Sequence, residues 1–246
     1  MSTDDPTELE GLRAAGRAVA ATLRETRRHV RPGVTTRELD MVAERVMARH
    51  GARSAPRLVY DFPGAICISI DDEAVHGIPG SRRLREGQLV KLDVTVERQG
   101  FFADSAISVP VGRVKPAVGR LVATAQAALN EALKVVRPGM TLAELGGVVE
   151  SVVERRGARV LRELSGHGIG RTIHEGPTVP NFADPEATET LTEGLVMTIE
   201  PIIAQSTRAT VAEDDGWTLS TDDGSVSAHA EHTLVVRDGR PLILTA

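Results

Sequence analysis

The sequence predicts an α+β fold made of two related halves. Three observations predict it. First, the chain repeats itself. Residues 30–53 read VRPGVTTRELDMVAERVMARHGAR and residues 136–159 read VRPGMTLAELGGVVESVVERRGAR, an ungapped match at an offset of 106 (136 − 30). Second, Leu84-Arg85-Glu86-Gly87 is echoed by Leu191-Thr192-Glu193-Gly194, and each is followed by an apolar run ending in one acid, Asp93 or Glu200. Third, helical patterns group together ahead of strand and hairpin patterns, and do not alternate with them as βαβ units would.

The elements follow in order. Residues 1–6 read as a frayed end. The capping box Thr7-x-x-Glu10 predicts a helix to about residue 30, closed by Pro32-Gly33. Thr35-x-x-Glu38 opens a second helix with Leu39, Val42, Val46 and Met47 on one face, stopping at Gly51. Ala65–Ile70 is a short buried-type strand. Gln88–Glu97 and Phe101–Val109 flank Arg98-Gln99-Gly100 as a hairpin. The second half repeats the plan. A helix covers about 116–136, Pro138-Gly139 ends it, and Thr141-x-x-Glu144 opens the next. That helix buries Leu145, Val148, Val149, Val152 and Val153 and stops at Gly157. Leu195–Ile203 and Glu231–Val236 are the matching strands, joined by a longer connection, about 204–228, that holds Trp217. No linker separates the halves, so residues 1–246 are expected to form one domain with an internal repeat of about 8–112 and 116–244.

Composition narrows the function. Aromatic residues are only 2%, so the core must be aliphatic. The net charge is −5 with no dense basic run, which argues against a nucleic-acid face. Cys67 is the single cysteine, so no internal disulfide forms and a reducing compartment is expected. The acidic first ten residues carry no signal-peptide pattern, and no apolar stretch approaches the roughly 20 residues of a membrane span. The expected setting is the cytoplasm.

Acids inside apolar strands carry the chemistry. Asp93, Asp104, His167, Glu200 and Glu231 are the candidate metal ligands. Asp93 and Asp104 are expected close to opposite each other on the hairpin, sharing a face. Glu200 and Glu231 lie on the equivalent strands of the second half, and His167 lies in a glycine-rich stretch, Ser165 to Gly170. An unpaired charge in such strands costs several kcal/mol, on the order of 3–5, unless a cation neutralises it. Four carboxylates and one imidazole suit Mn²⁺, Fe²⁺, Co²⁺ or Zn²⁺. Four acids exceed the needs of one ion; two ions about 3.5–4 Å apart would use them all and lower the pKa of a water.

Six stretches, in order, carry a family resemblance: Val75-His76-Gly77-Ile78-Pro79, Lys91 to Val96, Ser165 to Gly170, Thr198-Ile199-Glu200-Pro201, Asp215-Gly216-Trp217-Thr218 and Glu231-His232-Thr233. The chain resembles the methionine aminopeptidases of the pita-bread fold, in their short type I form, over about residues 8–244. The resemblance implies that Asp93 chelates one of two divalent ions, that Asp104 and Glu231 bridge both, and that His167 and Glu200 complete the other shell. It implies catalytic roles for His76, His174 and Glu200. Glu200 is similar to the family's proton-transfer residue, His174 to the histidine at the scissile carbonyl, and His76 to the one near the leaving nitrogen. Phe62, Cys67 and Trp217 would line the methionine pocket. The substrates implied are peptides and nascent chains, with the ribosome as a partner and a monomer as the working form.

Departures from the pattern fall outside the ligands. Val59 to Pro63 differs from the usual histidine- and tyrosine-bearing stretch, and Val75 replaces a common cysteine. Ile173 stands where an aromatic is usual, and His229-Ala230 replaces Gln-Tyr. They leave substrate preference open. Two other readings stay open as well: a pita-bread Xaa-Pro peptidase, and a non-catalytic pita-bread module that binds peptide.

Overall fold

The computed structural model describes residues 1–246, and in it each repeat forms a helix pair. The first half has α1 (Pro6–His29), α2 (Thr36–Arg49) and a short α3 (Ala55–Tyr60); the second has α4 (Pro116–Val135) and α5 (Leu142–Arg155). The turns between paired helices are the same. Gly33 (φ 88°) and Gly139 (φ 83°) occupy equivalent left-handed positions, which glycine adopts without steric cost. Both predicted capping boxes form. Thr35 and Thr141 accept from the amides of Glu38 and Glu144, and each glutamate accepts from the threonine amide in return. α2 buries Leu39, Ala43, Val46 and Met47; α5 buries Leu145, Val149, Val152 and Val153 at the equivalent positions. This is the spacing of one apolar helical stripe.

Asp40 breaks the stripe of α2 and has a structural task. Its Oδ1 accepts from the amides of Ala65 (2.7 Å) and Ile66 (3.0 Å), which anchors the chain entering the Cys67 strand. Replacing Asp40 with alanine leaves two buried donors unpaired and is expected to cost about 2–4 kcal/mol, read as a lower urea midpoint. An unchanged midpoint would refute this role.

The first helix starts earlier than its predicted box. Asp5 is the N-cap, accepting from the amides of Thr7 (2.7 Å) and Glu8 (3.0 Å), with Pro6 in the first turn. An aspartate directly before proline outcompetes Thr7 because proline needs no amide partner. Nor is the stretch ahead of it frayed. Ser2 bridges Leu195, and the Thr3 amide donates to the Gly194 carbonyl at 2.9 Å.

The strands explain how the halves meet. In the first half Leu89–Arg98 and Phe101–Pro110 pair without interruption around a two-residue turn. Gln99 (φ 53°) and Gly100 (φ 82°) are both left-handed, as that turn requires. Its register corrects one expectation: Asp93 lies opposite Ala106, and Asp104 lies opposite Thr95. The two acids are therefore diagonal neighbours on one face, two positions out of direct opposition.

In the second half the predicted strands are broken. Val196–Ile199 pairs with His232–Val235, and Ile202–Ala204 pairs with Ser227–His229. Between them Glu200-Pro201 and Ala230-Glu231 leave the ladder. Proline cannot donate to a ladder, so the break falls where the two acids sit. The freed groups bond across the seam instead. The Glu231 amide donates to the Ala106 carbonyl (3.0 Å), Ser105 Oγ donates to the Glu231 carbonyl (2.6 Å), and the Asp104 amide donates to Thr233 Oγ1 (2.9 Å). These bonds bring the two acid pairs to one place.

The connection over about 204–228 also has more order than expected. It holds strands Thr210–Ala212 and Leu219–Thr221, and the latter pairs with Glu73–Val75 of the first half. Ala65–Ile70 narrows to a strand over Cys67–Ile70. Separate aliphatic clusters lie under the helix pairs, around Leu39, Ile68 and Leu92 in one half and Leu129, Leu145 and Met197 in the other. No helix is long and apolar enough to cross a membrane.

Candidate active site

The five predicted ligands meet at one cavity of about 730 Å³. Asp93, Asp104, His167, Glu200 and Glu231 all line it. Asp104 Oδ2 accepts from Thr95 Oγ1 at 2.8 Å, the residue opposite it on the hairpin. Thr198 serves two of the candidate ligands: its Oγ1 donates to Glu200 Oε1 (2.8 Å) and accepts from the His167 amide (3.0 Å). His167 Nδ1 lies 2.9 Å from the Gly168 carbonyl. A carbonyl only accepts, so Nδ1 carries the proton and the Nε2 lone pair is free. That Nε2 lies 3.5 Å from Glu200 Oε1.

The site is strained electrostatically without a cation. Burial pushes the Asp93, Glu200 and Glu231 carboxyls well above the usual range, and the negative charge of Asp104 pushes all three further. Burial raises Asp104 as well, against the pull of its Thr95 hydrogen bond. Asp104 Oδ1 and Glu231 Oε1 are buried with no hydrogen-bond partner. Buried polar atoms are normally paired, so two orphaned oxygens at a cluster of acids fit a bound divalent ion.

The remaining predicted residues surround the ligands. His76 and His174 reach the cavity, and the ring of His174 lies 4.2 Å from that of His167. Desolvation lowers both histidines, so both are neutral donors or acceptors at pH 7. His76 has φ 59°, a conformation that a non-glycine residue holds only when its surroundings force it. Phe62, Cys67 and Trp217 line the cavity too. Phe62 and Trp217 meet edge to face at 5.2 Å, and Asp215 holds the Trp217 amide at 2.9 Å. Burial pushes the Cys67 thiol up, so it stays a small, soft apolar group. Val75 and Ile173, two of the departures, add apolar wall.

Sequence reasoning missed two side chains here. Tyr60 lies in the divergent stretch before Phe62, and its hydroxyl sits 2.6 Å from His174 Nδ1. The short α3 that carries it gave no periodic signal over six residues. His229 is the other. Its replacement of a glutamine was visible, yet nothing in the sequence showed where its ring would point.

A repeated α+β scaffold that converges four carboxylates and an imidazole on one cavity defines a metallohydrolase. The sequence pattern of Metallopeptidase family M24 matches residues 10–238. Methionine aminopeptidase 2 of Bacillus subtilis is 38% identical over 247 residues, covering 100% of this chain and 99% of that one. The crystal structure of methionine aminopeptidase from Rickettsia prowazekii superposes with a TM-score of 0.95 at 36% identity, covering 100% of both chains. A prolidase from Pyrococcus furiosus shares the fold at a TM-score of 0.79 and 22% identity, with this chain covering 64% of it. The chain belongs to metallopeptidase family M24, on its methionine aminopeptidase branch. It has the pita-bread fold of that family and is a metal-dependent exopeptidase.

Proposed function

We propose that this enzyme removes the N-terminal methionine from peptides and nascent proteins whose second residue is small, using two divalent ions. The carrying observation is the pairing of a buried acid cluster with a soft apolar pocket in one cavity. Asp93, Asp104, His167, Glu200 and Glu231 would hold the ions. When bound, such ions acidify a water and polarise the scissile carbonyl. A bound ion would take the lone pair of a neutral α-amine, which would account for action at chain ends.

The chain's own residues complete the chemistry. Glu200 would take a proton from the attacking water and return it to the leaving amine, and Thr198 Oγ1, donating to its Oε1 at 2.8 Å, holds the carboxylate in place for that. His174 donates from Nε2 to the oxygen that gains charge at the carbonyl. Tyr60 fixes that tautomer by donating its hydroxyl proton to Nδ1. His76 holds the leaving nitrogen. Cys67, Phe62 and Trp217 receive the thioether side chain. A type I monomer in the cytoplasm, meeting nascent chains at the ribosome, is the setting that fits this chemistry.

Two substitutions grade these roles. His174→Ala is expected to lower kcat about 10²- to 10³-fold by removing an oxyanion donor. Tyr60→Phe removes one half-exposed hydrogen bond worth about 1 kcal/mol and should lower kcat only about fivefold. Equal losses would contradict the assigned order. The whole reading is tested by hydrolysis of Met-Ala-Ser with Co²⁺ or Mn²⁺ against a chelated control. Metal-dependent release of methionine supports it. Faster cleavage of Leu-Ala-Ser or an Xaa-Pro peptide, or no cleavage at all, overturns it.

A further inference from the structure

His229 stands apart from the five ligands and is unexplained by them. It is 2% exposed, in a strand, two residues before Glu231. Its backbone is pinned across the seam: the amide donates to Ser108 Oγ and the carbonyl accepts from the same hydroxyl, both at 2.8 Å. The ring is enclosed at that position. Neither ring nitrogen has a hydrogen-bond partner. A buried imidazole with both nitrogens orphaned is costly unless something outside the protein's own groups completes it.

Its Nε2 lies 3.7 Å from Glu200 Oε2 and 3.7 Å from Glu231 Oε2. Both distances are too long for hydrogen bonds. They suit a shared ion instead. Two donors each about 2.1 Å from an ion and 3.7 Å apart subtend about 120° at it, an ordinary angle between ligands. The three residues form a compact donor group, and Asp104, His167 and Glu231 form another. The two groups share Glu231, and His167 Nε2 also lies 3.5 Å from Glu200 Oε1, so both imidazoles converge on the same two glutamates. His229 does not line the cavity, whereas Glu200 and Glu231 do.

We propose that His229 is a sixth ligand of the metal centre, binding through Nε2 the ion that Glu200 and Glu231 also hold. This inference rests on the two-ion reading above. It would put a second imidazole beside Glu200, whose Oε1 lies 3.5 Å from His167 Nε2 and whose Oε2 lies 3.7 Å from His229 Nε2. An added neutral nitrogen ligand makes the site softer, favouring Zn²⁺ or Co²⁺ over Mn²⁺.

X-ray absorption on the unmodified protein loaded with two equivalents of Co²⁺ tests this directly. Imidazole scattering from two rings per pair of ions is expected. One ring per pair overturns the ligand role while leaving the two-ion centre standing. A protein that takes up no cobalt overturns both readings. Calorimetric titration of His229→Ala gives an independent measure. The affinity for one ion should fall at least about tenfold, since changes even beyond the ligand shell act on that scale, while the other stays within about twofold. Two unchanged affinities would overturn the proposal.

Discussion

Asp93→Ala and Glu231→Ala are each expected to abolish two-ion binding and to lower kcat/KM at least about 10³-fold, the effect of losing roughly 4 kcal/mol of charge stabilisation in the transition state. Neither variant is expected to unfold. The metal-free site sets half-buried Asp93 against three buried acids, Asp104, Glu200 and Glu231, and desolvation already drives Asp93 and Glu231 well above the ordinary carboxyl range. Removing one relieves repulsion and desolvation, so the chelated variants should melt at or above the chelated wild type. The difference lies in the response to metal. An ion at 100 times its dissociation constant stabilises the wild type by about 2.7 kcal/mol, and the variants should lose much of that gain. Calorimetric titration checks the stoichiometry and scanning calorimetry the stability. A variant still binding two ions, or one unfolded without metal, would contradict the assignment.

The same substitutions show why the acids must come from both halves. Asp93 and Asp104 lie diagonally on an intact hairpin, while Glu200 and Glu231 flank a broken one. The break releases backbone groups, and these bond to the strand carrying Asp104. The seam is thus made by the interruption that frees the acids. A second half as regular as the first would satisfy its own ladder and leave nothing to dock.

Much of this was legible in the sequence, for identifiable reasons. The helix pairs were readable because capping boxes, glycine stops and a 3.6-residue stripe recur 106 positions apart (141 − 35). The candidate ligands were readable because acids inside apolar strands are conspicuous. What was not legible depended on register and side-chain direction. The offset of Asp93 from Asp104 follows from a two-residue turn at Gln99-Gly100, where a three-residue turn also fitted the letters. The ladder break at Pro201 shows only once its partner strand is known. His229 looked like a neutral exchange of one polar residue for another. Its meaning comes from two carboxylate oxygens at 3.7 Å, a tertiary fact.

Metal affinity is expected to climb steeply with pH, because the empty site stores protons that an ion must displace. Burial raises all four acids, and mutual repulsion adds to it at Asp93, Glu200 and Glu231. Desolvation and the charges of Asp104 and Glu200 make Asp93 one of the carboxyls expected to hold a proton in the metal-free site. The sign follows directly. Raised carboxyls stay protonated above the pH at which they would be free in an unfolded chain. Binding a cation deprotonates them, so each released proton makes the apparent affinity rise about tenfold per pH unit. His167 does not oppose this, since burial lowers its proton affinity and keeps its ring neutral even somewhat below its ordinary range, with Nε2 open. Between pH 6 and 8 each carboxyl still protonated in the metal-free site would add up to about 100-fold. Titrations at both pH values, in two buffers of different protonation enthalpy, would count the protons. Asp93→Asn should remove about one of them, because the amide keeps the shape and donor of the protonated acid but holds no exchangeable charge. An affinity that stays flat from pH 6 to 8, with no buffer-dependent heat, would mean that the four acids are already ionised without metal, and the electrostatic account of this centre would fall.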